Sequence, residues 1–500
     1  MTATNLVNLR AVVLDILMEL EKEDTMSHIV IGSALSKFQY LEKNERGFIT
    51  RVAQGTIEKR IELDYIINSY SKIPVNKMKP VIRNIMRMSV YQLRYMPNVP
   101  ASAVCNEAVK LAVKRKFVNL KGFVNGVLRN ISRNPDNIKY PDRSDMKRFL
   151  SIKYSFPEWL IEMWNITYTY EQIERMLIGF DNDKRTYIRC NTNVTTPDEL
   201  KHRLEAEGIT VIPVKGLSYA FEIKGYNYID DIEAFKDGCF QIQDISSMLA
   251  GEAACIKGEE HITDVCAAPG GKTINAALKL KNGTVDSRDV SDYKVSLIED
   301  NLDRLGIDNV TTKVWDATVV DESAIGRADI VIADVPCSGL GIIGRKPDIK
   351  YNTSPEKIAE LVKLQRDILS TVQSYVKKGG YLIYSTCTIN KSENEDNVKW
   401  LCDNYGFEVC PPEGVIKEYI MTDSDNNISY YDDNIMDNVD DNMMENNIDK
   451  ISGRVTDTNN MSDKNNDISY EHNNNAEYGI QLLPGVGNTD GFFICRLYKN

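Results

Sequence analysis

Ala328-Asp-Ile-Val-Ile-Ala-Asp-Val-Pro-Cys-Ser-Gly339 decides the fold, together with its later counterpart Gly379-Gly-Tyr-Leu-Ile-Tyr-Ser-Thr-Cys-Thr388. Each holds a short apolar run of β-branched or aromatic residues bounded by turn formers, the pattern of a strand buried in a parallel sheet. Each run is followed by a cysteine, so Cys337 and Cys387 fall just past the C-terminal ends of two strands. In open α/β sheets, ligands bind at that edge. Two thiols there suggest covalent chemistry on an electrophilic ring.

Working outward, strands are expected at 262–266, 283–290, 310–315, 329–335, 381–385, 406–409 and 492–498. Helical patterns fit between them at 272–280, 291–305, 355–377 and 392–404. The alternation predicts βαβ units and a doubly wound, Rossmann-like α/β domain over 236–500. No helical pattern separates the last two strands, which leaves the final one free to run antiparallel. Their connection includes 421–476, with 13 Asp and Glu against 3 Lys and Arg. That tract is too polar and too like-charged to offset the entropy of ordering, and it reads as a disordered acidic insert. An interaction tail is the alternative.

Residues 1–135 read as helices throughout. Leu9, Val13, Ile16, Leu17 and Leu20 form one amphipathic stripe, and similar patterns recur at 48–69, 81–96, 104–117 and 123–132. Residues 136–235 differ: short runs such as Thr186-Tyr-Ile-Arg-Cys-Asn191 and Ile209-Thr-Val-Ile-Pro213 flank a helical stretch and suggest a small α+β connecting domain. No chemistry is evident in it.

The net charge of −12 hides an asymmetry, because residues 1–135 hold 21 Lys and Arg against 11 acids. Within 72–133 there are 13 basic residues and only Glu107 opposing them. A basic face of this kind suits nucleic acid, although charge runs are commonly just solvated surface. No apolar stretch approaches the roughly 20 residues of a membrane helix. Ten cysteines without C-x-x-C spacing suggest a reducing compartment, hence the cytoplasm, and no metal site.

Asp264-Val-Cys-Ala-Ala-Pro-Gly-Gly-Lys-Thr273 joins a strand to a helix through paired glycines, where backbone N–H groups approach a ligand closely. It matches neither a Walker A loop nor G-x-G-x-x-G. Asp289 ends the next strand, where an acid binds ribose hydroxyls, and Asp316 ends the third, facing an adenine amino group. A nucleoside carrying an amino acid fits all three, and S-adenosyl-L-methionine is such a molecule. A thiolate adding to carbon 6 of a pyrimidine makes carbon 5 nucleophilic toward a methyl-sulfonium. Asp334 is placed near ring N3 to assist. Spacing alone leaves open which cysteine attacks.

These motifs resemble those of the RsmB (Sun/Fmu) family of 16S rRNA cytosine-C5 methyltransferases. Gln243-Asp-Ile-Ser-Ser, Gly339-Leu-Gly, Lys346-Pro-Asp-Ile-Lys and Ser392-Glu-Asn-Glu also match, and Arg83 to Leu93 and Phe123 to Arg129 resemble the family's NusB-like RNA-binding domain. The resemblance implies that Cys387 is the nucleophile, that Cys337 assists product release and that Asp334 orients the base. It implies a cofactor site at Cys266, Ala267, Ala268, Pro269, Gly270, Gly271, Lys272, Asp289, Asp316 and Asp334. It further implies 16S rRNA as partner, naked or in an assembling subunit, contacted through 72–133 by a monomer away from any membrane. Ser287 and Arg288 stand where the family carries an apolar pair, and the insert is longer than expected. A different RNA such as tRNA, or an adaptor with an inactive methyltransferase fold, are the alternatives. Amino-methyltransferases are disfavoured, since no Asp/Asn-Pro-Pro-Tyr/Phe run follows the fourth strand.

Overall fold

The computed structural model describes residues 7–22, 26–134, 137–182, 185–411, 414, 478–485 and 489–500. The acidic tract 421–476 lies outside the described residues. Among those described, no helix is long and apolar enough to cross a membrane.

Seven helices form the first region: α1 Leu9–Glu19, α2 Ser27–Ser36, α3 Lys43–Glu58, α4 Arg60–Tyr70, α5 Pro80–Tyr95, α6 Ala101–Lys114 and α7 Lys121–Arg133. Their apolar stripes, among them Val13, Ile49, Ile66, Ile85 and Leu128, close one core. The helix expected over 48–69 is in fact two, because Lys59 leaves helical geometry (φ −94°, ψ 17°) and turns the chain. Helix α2 has no apolar stripe of its own in the sequence: only Ser27 and Ile31 of it are buried, too few to mark its bounds.

Three helices follow, α8 Met146–Tyr154, α9 Glu158–Trp164 and α10 Tyr170–Asp181. They share a core with Leu340, Ile343, Ile358 and Ile389 from far along the chain. The small domain contains β1 Thr186–Cys190, α11 Pro197–Ala206, β2 Thr210–Pro213, β3 Ala220–Lys224, α12 Glu233–Lys236 and β4 Phe240–Ile242. The strands form an antiparallel sheet in the order β2-β3-β1-β4, so its last strand lies beyond residue 235. Strand β3 is buried at four of five positions and β4 has three residues, so neither shows the alternation that reveals a strand in sequence.

Then come α13 Ile245–Glu252, β5 His261–Asp264, α14 Gly271–Ala277, β6 Thr284–Asp289, α15 Asp292–Leu305, β7 Val310–Val314, β8 Ala328–Asp334, α16 Ile349–Asn352, α17 Pro355–Val372, β9 Val376–Thr386, α18 Glu395–Tyr405, β10 Phe407–Val409, β11 Ile480–Leu482 and β12 Phe492–Lys499. The main sheet runs β7-β6-β5-β8-β9-β12-β10, with β11 added beside β12. Strands β5 to β9 are parallel, and β12 is antiparallel to both its neighbours β9 and β10. Strand order reverses between β5 and β8, the point where such sheets open a binding crevice. Ser287 and Arg288 are buried despite their polarity. Ser287 Oγ lies 3.0 Å from Thr273 Oγ1, and Arg288 ion-pairs with Asp286 and Asp321. The strand is therefore packed with ion-paired and contacting polar groups where an apolar pair was expected.

Candidate active site

The crevice beside β5, β8 and β9 gathers the motif residues. Asp334 and Ser385 are register partners on β8 and β9, and Ser385 Oγ donates to Asp334 Oδ1 at 2.8 Å. The two chains leave the sheet together from that pair, which brings Cys337 Sγ within 3.2 Å of Cys387 Sγ. Both thiols are free and half-buried. The contact with Cys387 and then burial hold the Cys337 thiol well above the ordinary thiol range. Gly341 N donates to Cys387 O at 3.0 Å, tying the second loop to the first.

Asp334 has a second partner: Lys272 Nζ lies 2.5 Å from its Oδ2. Lys272 stands in the first turn of α14, directly after the paired glycines, so its side chain links the end of the glycine turn to the cysteine-bearing strand. Sequence reasoning placed Lys272 with the cofactor and missed this pairing. The turn is shaped by Gly270, whose φ of +99° suits glycine. It is held from outside by Gln243 Nε2, which donates to Gly271 O at 3.2 Å. Beneath it, burial pushes the Asp264 carboxyl up to about 7, opposed by the hydrogen bond from Thr273 Oγ1. Burial also raises the Cys266 thiol.

Asp289 is buried at the end of β6, where its Oδ2 accepts from Ala268 N at 2.9 Å and its Oδ1 accepts from Val290 N at 2.8 Å. It thereby anchors the glycine turn; Lys294 Nζ also lies 3.0 Å from Oδ1, which leaves Oδ2 as the oxygen with acceptor capacity for a hydroxyl. Asp316, just past β7, is exposed and accepts from its own turn at Thr318. Three carboxylates at successive strand ends and a glycine-lined turn offer acceptors for hydroxyl and amino groups beside negative charge for a cation. That donor set fits a cationic sulfonium nucleoside.

Arg345 had no assigned role in the sequence. It bridges Asp244 and Asp490, joining the Gln243 segment to the loop before β12. On α5 the structure narrows the basic face. Arg83 pairs with Glu21 and Arg87 with Asp64, so these guanidinium groups serve the helical core's rim. Lys72, Lys77, Lys79, Lys114, Lys116, Lys121 and Arg133 are exposed.

Residues 254–411 match the family described as 16S rRNA methyltransferase RsmB/F, residues 7–133 match the NusB family, and residues 156–229 match an RsmF/B-like ferredoxin-like domain. The probable ribosomal RNA small subunit methyltransferase B of Bacillus subtilis is 36% identical over 394 residues, 78% of this chain and 87% of the relative. Its counterpart from Synechocystis is 31% identical over 411 residues, 80% of this chain and 91% of the relative. The crystal structure of PH0851 has the same fold, with a TM-score of 0.72, 24% identity and 98% of each chain covered. A cysteine-bearing sheet edge, a NusB-like helical domain and this extent of shared sequence place the chain in the RsmB/F family of S-adenosyl-L-methionine-dependent small-subunit ribosomal RNA methyltransferases.

Proposed function

We propose that this chain methylates carbon 5 of a cytosine in 16S ribosomal RNA. The observation that carries the reading is the 3.2 Å contact between Cys337 and Cys387 beside Asp334. Cys387 Sγ attacks carbon 6 of the cytosine, and Asp334, oriented by Lys272 and Ser385, holds the N3 edge of the ring. The carbon 6 addition places electron density on carbon 5. S-adenosyl-L-methionine, held by the 266–272 turn, Asp289, Asp316 and Asp334, supplies the methyl group. A base then removes the carbon 5 proton, the Cys387–carbon 6 bond breaks and the thiolate is regenerated, with Cys337 assisting this release. RNA is held by the exposed lysines and Arg133 of the 72–133 region, while Arg83 and Arg87 are excluded by their carboxylate partners. The chain acts as a cytoplasmic monomer of three domains: a helical one over 1–135, a connecting one that extends from 136 through β4 Phe240–Ile242, and the methyltransferase domain that follows it.

The test uses Cys337→Ala and Cys387→Ala proteins with 16S RNA and labelled S-adenosyl-L-methionine, followed on a denaturing gel. A covalent protein–RNA band with Cys337→Ala but not with Cys387→Ala is expected. The reverse pattern exchanges the two roles, and no transfer by the unaltered protein to RNA or assembling subunits removes the reading.

A further inference from the structure

Glu393 is fully buried in the short turn Lys391–Glu393 that follows the Cys387 loop. A buried carboxylate is strongly disfavoured unless it is well paired or hydrogen-bonded. Every side-chain and backbone group that bonds this one is a neutral donor. Its Oε1 accepts from Ser338 N at 2.8 Å and Gln365 Nε2 at 3.1 Å. Its Oε2 accepts from Ser338 Oγ at 2.5 Å and Asn390 Nδ2 at 2.9 Å. Ser338 Oγ also lies 2.8 Å from Thr388 Oγ1.

The partners are informative by position. Ser338 follows Cys337, and Thr388 follows Cys387. Gln365 Nε2 additionally donates to Pro336 O at 2.9 Å, on the other side of Cys337. One carboxylate thus gathers the residues flanking both thiols. A neutral amide there accepts at only one oxygen and presents its NH2 to groups that are themselves donors. The network is built for a charge.

We propose that Glu393 is a positioning residue for the reaction, fastening the Cys337 loop to the Cys387 loop and deciding by its charge which of two touching thiols attacks. This rests on the two-cysteine reading above. Negative charge beside the Cys337 loop favours a thiol there over a thiolate, and its contribution to Cys337 acts in the same direction as the Cys387 contact and burial. Cys387 is then the thiol that attacks. Glu393 touches neither RNA nor methyl donor in this scheme and acts through Cys337.

The experiment reads the thiols directly. Unaltered protein, Glu393→Gln, Glu393→Asp and Ser338→Ala are treated with iodoacetamide across a pH series, and alkylation at Cys337 and Cys387 is quantified by mass spectrometry. Circular dichroism verifies folding of each. In unaltered protein Cys387 should react about tenfold faster than Cys337, since the thiolate is the reactive form. Glu393→Gln should bring that ratio down toward one and move the Cys337 profile to lower pH, with Glu393→Asp restoring part of it. Should Glu393→Gln fail to fold, Ser338→Ala decides the matter. It removes one of the two Ser338 bonds and should lower the ratio about twofold to threefold. An unchanged ratio in a folded Glu393→Gln protein, or in Ser338→Ala where the former does not fold, overturns the proposal. The thiol ratio is measured without RNA, so failure of the unaltered protein to methylate RNA sinks the functional reading without moving it. With active protein, kcat should fall in Glu393→Gln while KM stays within about twofold.

Discussion

The helical region and the sheet edge both concentrate charge, yet they use it in opposite ways. On α5, Arg83 and Arg87 are neutralised by Glu21 and Asp64, and the ion pairs close the rim of an apolar core. At the sheet edge, Lys272 and Asp334 pair beside two thiols, and Glu393 sits buried among neutral donors. Charge in the first region closes a rim between helices, whereas in the second it is gathered around two touching thiols. A tally of basic residues therefore overstates what the helical region can offer to RNA, while at the sheet edge a few ionisable groups are held in fixed places beside the two thiols.

The largest effect belongs to the thiols. If Cys387 is the nucleophile as proposed, replacing it with alanine should lower methyl transfer to RNA at least about a thousandfold, with the neighbouring Cys337 unable to take its place. A filter-binding assay of tritium transfer measures it, and activity within tenfold of normal sinks the nucleophile assignment. Next comes the Lys272 bridge between the glycine turn and Asp334. Lys272→Met should reduce kcat by roughly tenfold to a hundredfold through misplacement of both, with folding retained. An unaltered kcat there means that the pair is merely structural.

The contrast sharpens further with two sets of basic residues. Combined Lys114→Gln, Lys116→Gln and Lys121→Gln should weaken RNA binding about tenfold at moderate salt. Each lost phosphate contact should also flatten the log–log salt dependence by about one. Arg87→Gln, by contrast, should leave that slope unchanged and lower stability by about 1–3 kcal/mol, since it leaves the part-buried Asp64 without its two-pronged partner. Equal slopes for the triple variant and the unaltered protein move the RNA surface elsewhere.

What was legible in the sequence follows from the same contrast. The strand ends at Asp334 and Thr386 are legible because burial on both faces leaves apolar runs there, with Cys337 and Cys387 directly after them. The start of β9 is not, since it begins at Val376 through the exposed Lys377, Lys378 and Gly379, where the helix expected over 355–377 has already ended at Val372. The antiparallel β12 was open to inference from the missing helix before it. The break at Lys59 was not, because it depends on contacts across the molecule, with Lys59 pairing with Asp181 on α10. Nor could spacing distinguish Arg87, committed to Asp64, from Lys114, which faces solvent. The buried Ser287–Arg288 pair shows the same limit: its partners Thr273 and Asp321 are brought close by the fold. Periodicity reports burial, whereas pairing between distant polar groups has no local signature.

The smallest effect tests the seam between the two regions. Segment 348–351 reaches from the loop after Cys337 into the helical region, where Asp348 bonds Ser27 and Lys350 Nζ donates to Glu58 O at 2.8 Å, at the end of α3. Arg60 lies over the Tyr351 ring at 3.5 Å. Lys350 is fully buried over Phe156, and burial lowers its ammonium to about 7, with Glu58 and Asp181 opposing and Lys59 and Arg60 reinforcing the shift. In the unfolded chain this lysine keeps its proton up to near the ordinary value of 10.5. Between those values the unfolded state binds more protons, so stability contributed here rises with pH. Below 7 both states are protonated and the cost of burying the charge is felt in full. Lys350→Met removes that dependence. Urea denaturation at pH 7.0 and 8.0 should show the unaltered protein gaining roughly 1 kcal/mol on the methionine variant as pH rises. A gap independent of pH means that the ammonium stays charged in the fold, held by Glu58 O as a fixed clasp between the helical region and the cysteine loop.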